Sequence, residues 1–315
     1  VREHDFEDSY DRPSRRKTKR PRFDDEPAPS RGGRMTEAER GRLAQLREDA
    51  YVQDVPGGAD RWSTWGEADH GPVPRPDWVL TALAAVDTEL GVLKTGKEAD
   101  VHLIRRGLPD GTHESLLAAK RYRSNEHRMF HRDAGYLEGR RMRRSREMRA
   151  IETRTNFGRN LIAEQWAVAE FAALSRLWHA GAPVPYPVQR QGTELLLEFL
   201  GDEDGTAAPR LAQVRADDDE LKELWHQTVV ALELLAAQGL AHGDLSAYNL
   251  LVHRGRVMII DLPQVVDIVA NPRGLEFLER DIRNIAGWFT ARGLPESETD
   301  PAALVAELRD VAGLP

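Results

Sequence analysis

The stretch "AHGDLSAYNLLVHRGRVMIID", residues 241–261, decides how the rest of the chain is read. Its two apolar runs, "LLV" and "VMII", are short and rich in Leu, Val, Ile and Met, as buried strands are, and Arg254-Gly255 between them supplies a turn. The spacing predicts a hairpin with His242, Asp244 and Asn249 at its entrance and Asp261 at its exit. Two carboxylates and a carboxamide add nothing to the stability of a buried strand pair, because each must be hydrated, paired or put to use. They point to something held at the mouth of the hairpin.

Phosphoryl transfer from a nucleotide requires these residue types, since its chemistry is mostly positioning and neutralisation of charge. One carboxylate orients or deprotonates the acceptor; an amide oxygen and a second carboxylate hold a divalent cation against the phosphates. Asp244, Asn249 and Asp261 fill those places, and "HGDLSAYN" keeps the five-residue step between catalytic Asp and metal Asn of the kinase pattern H-R-D-L-x-x-x-N. His242 is expected to support this loop through a backbone hydrogen bond rather than to act as acid or base. Upstream, Lys120 ends the apolar "LLAAK", a strand position from which a lysine reaches phosphates, and Glu170 in "AEFAALSRL" can pair with it from a helix. Glu164 lies nearby on another face of that helix. In "KTGKEAD", Gly96, flanked by Lys97 and Glu98, lets backbone approach a phosphate chain. "LLLEFLG" reads as a hinge whose backbone at Glu198 and Leu200 faces adenine.

Composition bounds the alternatives. With 315 residues, 40% of them hydrophobic, the chain can bury one large core or two small ones. Its longest apolar stretch, "VVALELLAAQGL", is interrupted by Glu233 and falls short of the roughly 20 residues that cross a bilayer, so no membrane span and a cytoplasmic location are expected. The absence of cysteine excludes disulfides and thiolate metal sites, leaving a hard cation on oxygen ligands as the expected metal. A net charge of -8 argues against general coating of nucleic acid, yet "RPSRRKTKRPR" (12–22) and "GRRMRRSREMR" (139–149) are local basic blocks. The second block is either a solvated face or a site for RNA or a phosphate-bearing partner. Ser145, with Thr153 and Thr155 beyond it, is the expected site of phosphorylation there.

The order of patterns predicts an α+β, two-lobed fold. Residues 1–34 mix charge, Pro, Gly and Ser and read as a disordered tail. Residues 35–90 read as an N-terminal helical extension, opened by the capping box at Thr36 and Glu39, with a Gly/Pro-rich linker and a second helix over 75–90. Residues 91–200 form the small β-rich lobe, interrupted by an Arg-rich insertion at 124–160, and residues 201–315 the larger, mainly helical lobe. Trp166, Trp178, Trp225 and Trp288 sit in amphipathic helices and are expected in the core.

Taken together, "KTGKEADV" (94–101), "AAKRYR" (118–123), "LLLEFLGDEDGTAAPRL" (195–211), "HGDLSAYNLLV" (242–252), "IIDLPQVVD" (259–267) and "FLERDIRNIAGWF" (277–289) resemble the RIO atypical protein kinases, most closely the type-one branch. The resemblance implies a protein-kinase-like fold, ATP with Mg2+ or Mn2+, Ser/Thr autophosphorylation, and ATPase behaviour in which the metal Asp itself accepts phosphate. It implies Asp244 as catalytic Asp, Asn249 and Asp261 as metal ligands, and Lys120 as the phosphate lysine. The substrate would be a protein or the chain itself, and relatives of this kind serve small-ribosomal-subunit maturation, which makes a ribosomal partner an expectation too. The Ala-, Arg- and Gly-rich composition points to a bacterial source. The sequence lacks the DFG and APE segments, and Pro263 stands where type-one members usually carry Ser. A nucleotide-binding scaffold without turnover, and a small-molecule phosphotransferase similar to aminoglycoside kinases, are the alternatives.

Overall fold

Strand periodicity dominates the first half of the chain, and in the computed structural model it yields one antiparallel sheet. The structure describes residues 55 to 314 except 57 and 124–155. The expected tail, the helix from Thr36 and the phosphorylation sites at Ser145, Thr153 and Thr155 lie outside the described residues, as do the basic blocks. The sheet is built from β1 (Arg61–Trp62), β2 (Asp69–His70), β3 (Val86–Thr95), β4 (Ala99–Gly107), β5 (Glu114–Tyr122), β6 (Pro187–Gln191) and β7 (Glu194–Glu198). Their spatial order is β1-β3-β4-β5-β7-β6-β2.

Two expectations fail here. No helix forms over 75–90: Val86–Thr95 is a strand, and the residues before it are irregular. The apparent helical spacing comes instead from Trp78 and Val79 packing onto the sheet, followed by buried Ala85 and Val86. The stretch read as a linker supplies β1 and β2, with Trp65 buried between them and stacked on His70 at 3.9 Å.

Each face of the sheet carries its own core, as alternation along β7 makes plain. Leu196 joins Trp65, Ile104, Leu117, Ala119, Tyr186 and Val188 on one side. Leu195 and Leu197 point to the other, where the core runs through Ala99 and Tyr122 into the helices. Against that second face lies α1 (Asn156–His179), which begins four residues earlier than the expected end of the insertion. Gly181, at φ 78°, follows the end of α1, and Pro183 comes two residues later.

Beyond β7 the chain becomes mainly helical. Here α2 (Asp218–Ala237) is capped by the Asp217 carboxylate on the Glu220 amide, and α3 (Gly274–Thr290) and α4 (Pro301–Val311) close the lobe. Between α2 and α3 lie β8 (Leu240–Ala241), β9 (Leu250–His253), β10 (Arg256–Ile259) and β11 (Val266–Asp267). The β9–β10 hairpin is the one expected: Arg254 and Gly255 both take positive φ, 52° and 75°, the turn that matches the twist of flanking strands. The described residues thus form the expected α+β arrangement of a sheet lobe followed by a helical lobe. Trp225 is buried, and Trp166, Trp178 and Trp288 pack against the core.

Candidate active site

The register of the sheet sets out the site. Lys120 on β5 lies opposite Val101 on β4 and Leu195 on β7, on the face that meets α1. From α1, Glu170 comes up fully buried and accepts from Lys120 Nζ at 2.7 Å, so the expected pair forms. Glu164 is exposed on the other side of the helix. The same Lys120 ammonium donates to Asp261 Oδ1 at 2.6 Å. Lys120 therefore bridges two carboxylates, one from the sheet lobe and one from the segment after β10. Their combined field raises its pKa despite the opposing effect of burial. In return, the Lys120 charge holds the Asp261 carboxyl at about 2, against burial, which works the other way.

Two further groups complete this cluster, and the sequence reading missed both. The Tyr122 hydroxyl donates to Glu170 Oε2. Burial, followed by the charge of Glu170, pushes that phenol well above its ordinary range. The Leu262 amide donates to Glu170 Oε1 at 3.0 Å. Tyr122 stands two residues after Lys120, on the same strand face, and that alternation was a usable signal.

Asp261 has φ 67°, a left-handed conformation that Asp tolerates better than most residues and that is seldom found without cause. Its predecessor is tied twice to the loop before β9: Ile260 N donates to Asn249 O, and its carbonyl pairs with His242 Nε2, both at 3.0 Å. His242 Nδ1 lies 3.3 Å from the Asp244 amide, which it can accept only when neutral with the proton on Nε2. His242 is thus a buried loop support, as expected.

Asn249 is buried and turns its Nδ2 onto the Asp244 carbonyl at 2.9 Å, which leaves Oδ1 as the atom able to meet a cation. Asp244 itself is exposed, and among the described residues its carboxylate takes no partner. The loop is anchored from below by Asp281 on α3. Fully buried, its two oxygens accept from the amides of Gly243 at 2.7 Å and Leu245 at 3.0 Å. Burial raises its pKa, with those two amides acting in opposition. Asp281 was not foreseen, because an acid within "ERDIRN" looks like any solvated helix residue. Gly243 is required by close approach: at φ 85°, a Cβ there would lie 2.3 Å from the Gln264 carbonyl.

The remaining expected residues are placed as follows. Gly96 closes a turn on itself: its amide donates to Ala99 O at 3.0 Å, and a Cβ would sit 2.7 Å from that oxygen. Its freedom is therefore needed by the β3–β4 connection even before any phosphate is considered. Lys97 is exposed and Glu98 half-buried in that turn. In the expected hinge, the Glu198 amide is already spent on the Tyr186 carbonyl at 2.8 Å, and the Leu200 carbonyl accepts from Ala208 at 2.9 Å. The Leu200 N–H has no partner among the described residues. Among the described residues, no group of three or more His, Asp or Glu is arranged to hold a metal by itself. No helix among them is long and apolar enough to cross a membrane.

A sheet-borne lysine bridged to a helix glutamate and to an aspartate beyond a hairpin, with a second aspartate left open, defines a kinase-like fold and site. The RIO domain sequence pattern matches residues 112–302, and the chain belongs to that family. It is 32% identical over 219 residues to the serine/threonine-protein kinase RIO3 of Bos taurus, covering 67% of this chain and 40% of that protein. It is 35% identical over 209 residues to the RIO-type serine/threonine-protein kinase Rio1 of Haloferax volcanii, covering 66% and 65%. The chain thus spans less than two thirds of the length of these relatives. Among solved structures, the Rio2 kinase from Chaetomium thermophilum overlaps it with a TM-score of 0.48 and 21% identity, over 71% of this chain and 68% of that one.

Proposed function

We propose that the chain is an ATP-dependent, RIO-type serine/threonine protein kinase or ATPase, acting on a protein substrate or on itself. The observation that carries this reading is the pairing of a closed cluster, Lys120 between Glu170 and Asp261, with the open carboxylate of Asp244. Lys120, held by Glu170, neutralises phosphate oxygens as charge builds on them. Asp244 takes the proton of the acceptor hydroxyl as its oxygen bonds to the terminal phosphorus and the bond to the ADP oxygen breaks. Asn249 Oδ1 and the Asp261 carboxylate suit Mg2+ or Mn2+, hard cations that take one or two protein oxygens and complete their shell from phosphate and water. Such an ion supplies charge neutralisation between the phosphates. Where Asp261 rather than a hydroxyl accepts the phosphoryl group, and water then cleaves the aspartyl phosphate to inorganic phosphate and the free carboxylate, the same site runs as an ATPase. Adenine would meet the hinge through the Leu200 N–H, with Glu198 contributing its carbonyl side only, and the two lobes divide near residue 200. A ribosomal or RNA partner would be recruited by the charge of the Arg-rich segments at 12–22 and 139–149.

Phosphate transfer from labelled ATP, measured with Mg2+ and with Mn2+, tests the reading. Asp244→Asn should lower turnover by about 100-fold or more while nucleotide still binds. Undiminished turnover in both Asp244→Asn and Asp261→Asn would sink the assignment. Binding without turnover in the parent would make the chain a scaffold, and turnover only with a small added alcohol would make it a small-molecule phosphotransferase.

A further inference from the structure

One lysine of the sheet is not used by the site as described. Lys94 on β3 lies opposite Val101 on β4, and Val101 lies opposite Lys120 on β5. Residues directly opposed across antiparallel strands show their side chains on the same face, so Lys94 and Lys120 stand in one row on one face of the sheet. Two strand spacings, roughly 10 Å, separate their backbones. Lys94 is half-buried, yet among the described residues it makes no hydrogen bond and no ion pair. Burial pulls its ammonium below the ordinary range; Asp261 and Glu98 act to raise it, while Arg210 and Lys120 lower it further. Arg210 is fixed at the rim of the loop by a hydrogen bond to the Tyr248 carbonyl at 2.6 Å.

Two lysines, Lys120 and Lys94, therefore act on Asp261, Arg210 adds its charge on the side of Lys94, and both of the acids that Lys120 contacts are already engaged. A partly desolvated ammonium without a direct counter-ion is unfavourable until an anion reaches it. The anion that fits is one that already meets Lys120 and extends along the row.

Resting on the phosphotransfer reading above, we propose that Lys94 is a second phosphate-binding residue, gripping the end of the polyphosphate chain beyond the phosphates held by Lys120. It discriminates nucleoside triphosphate from shorter nucleotides by reaching only the longer chain.

Calorimetric titration of ATP, ADP and AMP with Mg2+ into the parent, Lys94→Met and Lys94→Arg chains tests this, alongside the thermal midpoint of each chain without ligand. Lys94→Met should bind ATP about tenfold more weakly, ADP less affected and AMP as the parent does, while Lys94→Arg keeps ATP affinity. The ligand-free midpoint should not fall, since the lysine holds no partner in the protein. Unchanged ATP affinity in Lys94→Met overturns the assignment and leaves the phosphotransfer reading standing. Equal weakening toward all three nucleotides, or a Lys94→Met chain that fails to fold, also overturns it, because either makes the lysine structural. A parent chain that binds none of the three sinks the phosphotransfer reading itself.

Discussion

The sheet buries two charged clusters on opposite faces, and they are built to different ends. On the face away from α1, Arg106 is fully buried and donates to both oxygens of Asp87, at 2.7 and 3.0 Å, and to Gln189 Oε1 at 2.7 Å. Gln189 passes its remaining amide to Thr64. Every member of this chain has a protein partner, and the side chains of Arg106 and Asp87 are each only 1% exposed. On the other face, Lys120 has a similar pair of anionic contacts, but Asp261 is 32% exposed at its side chain and held in a left-handed backbone. The first cluster is closed and fixes how β1, β3, β4 and β6 meet. The second has one side that a ligand can enter, and beside it stands an aspartate with no partner. Buried charge alone marks neither function nor structure; what separates the two is whether any member can exchange its partner for something from outside.

Single substitutions should separate the two clusters. Lys120→Met should lower phosphoryl transfer by about 100- to 1000-fold, measured as initial rates at saturating ATP, because the cation facing the phosphates is gone. Arg106→Met should instead leave the activity of the folded protein unchanged and cost about 3 kcal/mol in denaturant unfolding, since the buried Asp87 then keeps only Arg61 Nε, at 3.2 Å. Equal losses of activity and stability in both variants would erase the distinction.

What could be read beforehand follows the same line. The hairpin, its turn at Arg254-Gly255, and the strand and helix that bring Lys120 to Glu170 were legible because each is a local pattern with a local cause: apolar runs, a turn dipeptide, periodic helix faces. Arg106 gave no signal, since an arginine in "HLIRRG" reads as an exposed strand residue until β3 and β6 supply Asp87 and Gln189 from distant sequence. The same holds for Asp281, whose partners are backbone amides 36 and 38 residues away. The misread helix over 75–90 has a related origin. Alternation along β3 is broken by irregular pairing between Glu89 and Gly91 and between Val92 and Lys94, and Asp87 sits inward because Arg106 is there to receive it.

Tyr122→Phe sharpens the comparison at smaller scale. It removes one of three donors to Glu170 and leaves a buried carboxylate oxygen short of a hydrogen bond, which should cost about 1 to 3 kcal/mol of stability. Lys120 keeps its own contact, so the drop in transfer rate should be smaller than for Lys120→Met; an equal drop would mean that the tyrosine sets the lysine's position. The smallest effect expected is on acid stability. The Asp261 carboxyl falls from 3.8 to about 2 in the folded chain, so its pairing contributes in full above pH 3.8 and is lost as the pH drops toward 2. Asp261→Asn should flatten that part of an acid unfolding curve.

The Glu170 carboxylate carries a consequence for motion. Its oxygens receive Lys120 and Tyr122 from the sheet and the Leu262 amide from the helical lobe, while the loop bearing Asp244 is fastened through Asp281 to α3. A hinge rotation that parts the lobes would leave the Asp244 loop riding with α3 and would stretch the bonds at Lys120–Asp261 and Glu170–Leu262 together. Those bonds therefore act as a latch, already engaged before anything enters the cleft. A molecule arriving between the lobes meets a site set close to its working shape, and its departure is timed by how often the latch slips.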